Sequence, residues 1–242
     1  MRVAAITPYC VETLDVLRQC HDSVIQQTYP CTHFMVSDGP SNPEVATWQV
    51  EHLTLSKRHD DNGNTPRAIG ALSAMNQGFD AICLLDADNW FHLDHVQAMV
   101  DLHRRTNAAL CIASRNLHAL DGTFLSFDDY DSDAKAHVDT SCLFYTRAAF
   151  RLLPMWAMLP TQLGPIGDRF IWKAIQARRT SIAVNPQPTV AFRSQYTNHY
   201  WHVGVQPPPN MKTSATTRVA WDWWRSLSEE VRRDWEVYFN GA

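Results

Sequence analysis

The chain has 242 residues, 45% hydrophobic and 19% charged, with 21 Lys+Arg against 25 Asp+Glu for a net charge of −4. That length supports one full-sized core; the apolar fraction excludes a disordered chain, and 9 Gly with 13 Pro exclude a collagen-like or linker-dominated one. The mildly acidic balance speaks against a protein whose main work is to neutralise a nucleic-acid backbone, so no nucleic-acid partner is expected.

The first half alternates short apolar runs with longer amphipathic ones. Val3–Thr7 reads as a strand ended by Pro8-Tyr9. Leu14, Leu17, Val24, Ile25 and Thr28 recur at helical spacing and predict a helix over Thr13–Gln27. His33–Ser37 is a second strand, closed by the turn-forming Asp38-Gly39-Pro40, and Leu53–Lys57 a third. Arg67–Gly78 reads as a helix stopped by its glycine, and Ala81–Leu85 as an unbroken apolar run, the pattern of a parallel strand covered on both faces. A helix over Leu93–Arg105 and a strand over Ala109–Ser114 follow. The second half is less regular: Asp121-Gly122 as a hairpin turn, Ser126–Lys135 as an acidic solvated or acceptor-side loop, a strand over Ser141–Thr146 and a helix over Gly167–Arg178. Pro207-Pro208-Pro209 marks a stiff linker, and Val219–Phe239 one helix with four of the nine tryptophans. The expected division is therefore 1–206 as a catalytic domain and 207–242 as linker and tail.

Strands alternating with helices argue an open, mostly parallel α/β sheet. Such sheets bind ligands outside the carboxyl ends of their strands, which points at Thr7–Tyr9, Ser37–Gly39 and Asp86–Asn89. None of the six cysteines is paired as CxxC, and several sit inside apolar runs, where a reduced cysteine acts as a small hydrophobe. The apolar run at the N-terminus breaks at Pro8 and meets Glu12, too short for a secretory signal, and no stretch approaches the ~20 apolar residues of a spanning helix. A cytoplasmic location is expected, with a peripheral membrane association left open.

Asp86-Ala87-Asp88-Asn89 follows the apolar run, and residues i and i+2 of an extended segment point the same way. Both carboxylates can then converge on one hard cation, Mg²⁺ or Mn²⁺, shared with a ligand's phosphates. Taken alone, the same residues also read as a strand end with helix-capping acids. The N-terminal segment AAITPYCVETLDVLRQCHDSVIQQTYPCTHFMVSDGPSN, then TPRAIGALSAMNQGFDAICLLDADN, then Ile166-Gly167-Asp168-Arg169-Phe170 together resemble, in order, the motifs of family 2 glycosyltransferases of the GT-A fold. The resemblance covers roughly Val3 to Ala177.

It implies an inverting transferase that moves a sugar from a nucleoside-diphosphate sugar, a UDP-sugar first, to a hydroxyl acceptor in glycan or glycolipid assembly. By this resemblance Thr7, Pro8 and Tyr9 line the base and ribose, and Asp38 reads the base, with Ser37 where the family usually has a further acid. Arg67 approaches the diphosphate with its planar fork of donors. Asp86 bridges ribose and metal, and Asp88 binds the metal. Asp139 faces the donor sugar, and Asp168 is the general base that takes the acceptor proton. His199 is expected as a further metal or diphosphate contact, with His202 in reserve; His92 and His95 read as surface or packing residues.

The tail places Ala220, Trp224, Leu227, Val231, Trp235 and Tyr238 on one stripe, opposite a face of mixed charge. Interfacial membrane helices carry an excess of Lys and Arg there, so docking on the catalytic domain or on a sister subunit is expected, and a homodimer stays open. Two rival classes remain at this point. One is a non-catalytic nucleotide-sugar-binding scaffold. The other is a metal-dependent phosphohydrolase, whose acidic pair usually follows the first strand rather than about the fourth.

Overall fold

A computed structural model describes residues 1–128 and 132–240. β1 (Val3–Tyr9), β2 (Cys31–Ser37), β3 (Glu51–Thr54) and β4 (Ala81–Leu84) form the parallel half of the sheet, in the order β3-β2-β1-β4. β8 (Leu143–Thr146) then runs antiparallel to β4 and to β6 (Leu110–His118). β9 (Ile182–Arg193) lies parallel to β6, β5 (Trp90–Phe91) closes the far edge, and β7 (Phe124–Phe127) pairs with β6 through the expected turn at Asp121-Gly122. The result is an open α/β sheet flanked by helices.

β1 runs through Pro8 rather than stopping before it. The Ile6 carbonyl accepts from Leu85 and the Tyr9 carbonyl from Asp38, so even-numbered residues face β4 and odd-numbered ones β2. Pairing with β4 stops at Ile6, and Pro8 sits where no strand needs its missing N–H.

α1 (Leu14–Ile25) buries Leu17, Cys20, His21 and Val24 at i, i+3, i+4, i+7 spacing. α2 (Asn64–Asn76) presents a small-residue face, and at Gly70 a Cβ would stand 2.7 Å from Ile6 and 2.8 Å from Val36. That close approach of helix to sheet sets the height of Arg67 above the strand ends. α3 (His95–Thr106) packs on β6 and β9. His95 is a packing residue as expected: it stacks on Phe91 at 3.8 Å and bonds Thr189 at 2.9 Å, and burial pushes its imidazole down to about 3.

Several elements lie outside the expected pattern. β9 carries Pro186 and Pro188, and a register irregularity around Ser114 absorbs them, with the Ser114 hydroxyl donating to the Asn185 carbonyl at 2.8 Å. Residues Arg147–Met158 and Thr161–Ile166 form 3₁₀ turns rather than sheet or α-helix. α4 (Gly167–Ala177) is where it was expected, and α5 (Thr197–His202) is an unforeseen short helix.

The expected single tail helix over Val219–Phe239 is instead two, α6 (Ser214–Ser226) and α7 (Glu229–Asn240). Leu227 is extended, and the Ser228 hydroxyl accepts from the Val231 N–H at 3.3 Å, starting a new helix. Phe170 of α4 meets Trp221, Trp224 and Phe239 at ring separations of 5.7, 4.9 and 6.2 Å, so the tail docks on the body of the same chain. All six cysteines are free thiols, four of them buried.

Candidate active site

The carboxyl ends of β1, β2 and β4 open into one cavity of about 680 Å³. Its wall also takes residues from the 60–64 loop, from α4, and from the segment that leads into α6.

Arg67, in the first turn of α2, is 3% exposed and reaches back over the strand ends. Its guanidinium donates to Asp86 at 2.6 Å and to Asn64 at 2.8 Å, and lies 4.7 Å from the Trp156 ring centroid. Arg67 Nε and the Asn64 amide nitrogen are buried with no hydrogen-bond partner among the described residues. The Asn64 nitrogen lies toward Gly167 of α4, 3.1 Å from where a Cβ would stand there.

Asp86 and Asp88 line the same cavity. The segment is fastened from behind: the Ser141 hydroxyl accepts from the Asp86 N–H at 3.1 Å and from the Asn89 amide at 3.0 Å, and Arg193 donates to the Asp88 carbonyl at 3.0 Å. Gln195 donates to the Asp88 carboxylate at 2.7 Å. Burial, then the neighbouring Asp86 charge, push the Asp88 carboxyl up to about 7, against the pull of Gln195 and Lys212. Two acids that repel across a buried floor form a donor set suited to a hard divalent cation. No group of three or more His, Cys, Asp or Glu side chains placed to hold a metal occurs among the described residues. Such a cation would therefore complete its shell with ligand oxygens.

The other expected residues are placed as follows. Thr7 is fully buried beneath the cavity rather than lining it, bonded to His33 at 2.9 Å, which corrects its expected contact with base and ribose. Pro8 and Tyr9 do line it, and the Tyr9 hydroxyl bonds His52 at 2.7 Å. Asp38 borders the cavity, but its carboxylate is engaged by the His59 ring at 2.7 Å and by the His59 N–H at 3.1 Å. His199 lines the cavity with its Nδ1 bonded to Ser194 at 2.8 Å. His202 is exposed and lies outside the cavity wall, so it does not serve as the reserve ligand.

Asp139 accepts from the Ser141 N–H at 2.9 Å, and Arg115 donates to it at 2.6 Å. Arg115 is 1% exposed, donates to Asp128 as well, at 2.6 Å, and lies 4.1 Å from the Phe192 ring centroid. Asp128 is thus a buried ion-pair partner, not a solvated loop residue, while residues 129–131 of that acidic loop lie outside the described ones. Asp168, in the first turn of α4, accepts from the Arg169 N–H at 2.7 Å and pairs with His137 Nε2 at 2.7 Å. The His137 charge and hydrogen bond outweigh burial, the largest single influence, and hold the Asp168 carboxyl below its ordinary value.

Sequence reasoning missed Arg115, His137, Gln195, Lys212 and the 60–64 loop. The loop had a readable signal. Asp60, Asn62 and Gly63 all have positive φ, and Asn-Gly is the dipeptide that tolerates it. At Gly63, with φ +78°, a Cβ would stand 2.9 Å from Pro8 Cγ, so the loop rests directly on the end of β1.

The open α/β sheet flanked by helices, with its cavity at the ends of the parallel strands, is a GT-A fold. The structure superposes on Staphylococcus aureus TarS with a TM-score of 0.62 at 11% identity, covering 99% of this chain and 43% of that one. It also superposes on TarS 1–349 in complex with UDP (TM-score 0.61, 11% identity, 97% of this chain and 78% of that one). For TarS 1–349 in complex with UDP-GlcNAc the TM-score is 0.55, with 12% identity and coverage of 99% and 71%. The chain thus spans less than half the length of full TarS, and no curated protein matches it significantly. The family model for glycosyl transferase family 2 matches residues 4–130, and the chain belongs to that family. No described helix is long and apolar enough to cross a membrane.

Proposed function

We propose that the protein transfers a glycosyl group, with inversion, from a UDP-sugar to a hydroxyl of a glycan or glycolipid acceptor. The observation that carries the reading is the Arg67–Asp86 ion pair at 2.6 Å beside Asp88 in the cavity wall. That arrangement suits a diphosphate: a guanidinium for its charge, and two carboxylates for its counter-cation. The bound UDP and UDP-GlcNAc of the two TarS structures support the uridine donor class.

Asp86 and Asp88 would hold Mn²⁺ or Mg²⁺; His199 lines the same cavity but is not grouped with them as a third ligand among the described residues. A cation there supplies charge neutralisation for the departing diphosphate. Pro8 and Tyr9 bound the base end. Asp168 takes the proton of the acceptor hydroxyl as its oxygen attacks the anomeric carbon and the bond to the diphosphate breaks. The placement of the acidic pair after β4 also argues against the phosphohydrolase alternative.

Calorimetry with UDP, GDP and dTDP, with and without Mn²⁺, tests this. UDP binding that strengthens with Mn²⁺, is abolished in Asp88→Ala and is kept in Asp168→Asn without turnover is the expected result. Metal-independent binding that Asp88→Ala leaves unchanged would overturn the cation assignment, and no nucleotide binding at all would overturn the function.

A further inference from the structure

The base candidate is not held by its own helix alone. Asp168 and its partner His137 both line the cavity, with 23% and 6% of their side chains exposed. His137 sits on the loop before β8, and that loop is tied to α4 repeatedly. The Trp172 indole N–H and the Gln176 amide, both on α4, donate to the Lys135 carbonyl at 2.9 and 3.0 Å. The Asp133 carboxylate accepts from the N–H groups of Lys135, Ala136 and His137 at 2.9, 2.9 and 3.2 Å. The Ala134 N–H donates to the His137 carbonyl at 3.1 Å. Backbone and helix therefore fix the imidazole before it meets the carboxylate. This far exceeds what an N-terminal helix acid needs, since the Arg169 N–H already caps Asp168.

We propose that His137 is the positioning residue of the base: its Nε2–H holds one oxygen of Asp168 so that the free lone pairs of the carboxylate face the acceptor hydroxyl. This rests on the assignment of Asp168 as base. During transfer the acceptor proton moves to Asp168, the new C–O bond forms at the anomeric carbon, and the electron pair of the broken bond leaves on the diphosphate. His137 keeps its own proton throughout. With one carboxylate oxygen held by His137 and the other by the Arg169 N–H, the side chain is restrained in orientation, and orientation of this kind contributes heavily to rate.

The charged groups around the pair are Asp133 and Asp139 on the same loop, Arg169 on α4, Arg115 on β6 and Asp86 after β4. Against that background the His137 interaction is the main influence lowering the Asp168 carboxyl against the effect of burial. Losing the imidazole therefore shifts the acid limb of the rate profile to higher pH.

The test uses the whole chain with Mn²⁺ and UDP-GlcNAc, UDP-glucose or UDP-galactose, whichever releases UDP fastest, with water in the acceptor's place. In His137→Ala, kcat is expected to fall about 10- to 100-fold, with UDP affinity by calorimetry unchanged and the acid limb displaced upward. His137→Gln keeps a neutral donor, recovers part of kcat and leaves the acid limb displaced. It decides the matter by the same two readouts if the alanine variant fails to fold. Unchanged kcat and acid limb in the histidine variants, alongside an inactive Asp168→Asn, would overturn the positioning role and leave the base intact. Full turnover by Asp168→Asn, or no turnover of any of the three sugars, would instead remove the underlying function and this inference with it.

Discussion

Replacing Asp88 by Asn separates the demands of the site from those of the fold. The folded-state pKa of Asp88 stands at about 7 against an ordinary 3.8, so between those values the native state binds a proton that the unfolded chain does not. Stability from this group is present below pH 4 and is lost as pH rises toward 7. At pH 8 the displacement, at about 1.4 kcal/mol per pH unit, comes to an upper bound of about 4 kcal/mol; relaxation of the site brings the expected penalty to about 2 kcal/mol. Asn removes the charge, and its amide oxygen can still accept from Gln195, which now lies 2.7 Å from the carboxylate. Asp88→Asn is therefore expected to be more stable than wild type by about 2 kcal/mol in urea unfolding at pH 8 with EDTA. At pH 4.5 most of that difference closes. Saturating UDP and Mn²⁺ at pH 8 narrow it from the other side by stabilising wild type alone. An Asn variant no more stable than wild type at pH 8, or a gap independent of pH, would refute the electrostatic reasoning.

Two further substitutions address parts of the site that motif reading passed over. Gly63→Ala forces a side chain onto a residue at φ +78° and against Pro8, and the strain of about 1–2 kcal/mol is expected to weaken UDP binding about 10-fold by calorimetry; unchanged affinity would show that the loop does not shape the nucleotide site. Arg115→Met leaves Asp128 and Asp139 buried without the cation that both contact at 2.6 Å, and a loss of about 3–5 kcal/mol in urea unfolding is expected, against less than about 1 kcal/mol if the ion pairs are dispensable.

The parallel half of the fold was legible because its signals are local. An unbroken apolar run at Ala81–Leu84 can hardly be anything but a buried strand, and the Asp-x-Asp pair sits at its end. The order of motifs singled out Arg67 and Asp168, and both line the cavity. His137 and Arg115 were not legible, because their meaning lies wholly in partners distant in sequence: Asp168 stands 31 residues from His137, and Asp139 stands 24 from Arg115. β9 was hidden by its two prolines, which argue against a central strand unless the neighbouring strand breaks register, and β6 does. The tail was misread as one helix because the period of its apolar stripe carries across the break at Leu227, whereas the break depends on a serine capping a new helix. Thr7 was assigned to the cavity by motif position, but it lies two residues short of the end of β1 and its side chain is fully buried against His33.

The tail also bears on when the site comes into being. Lys212, Thr213, Ser214 and Thr217 wall the same cavity as Asp86 and Asp168, and α6, which they begin, is anchored by Trp221 and Trp224 against Phe170. During synthesis the parallel strands and their acidic pair emerge early, while one side of the cavity comes from residues 212–217, far along the chain. A chain cut before residue 212 would carry Asp86, Asp88, Asp168 and His199 and still lack that wall of the cavity.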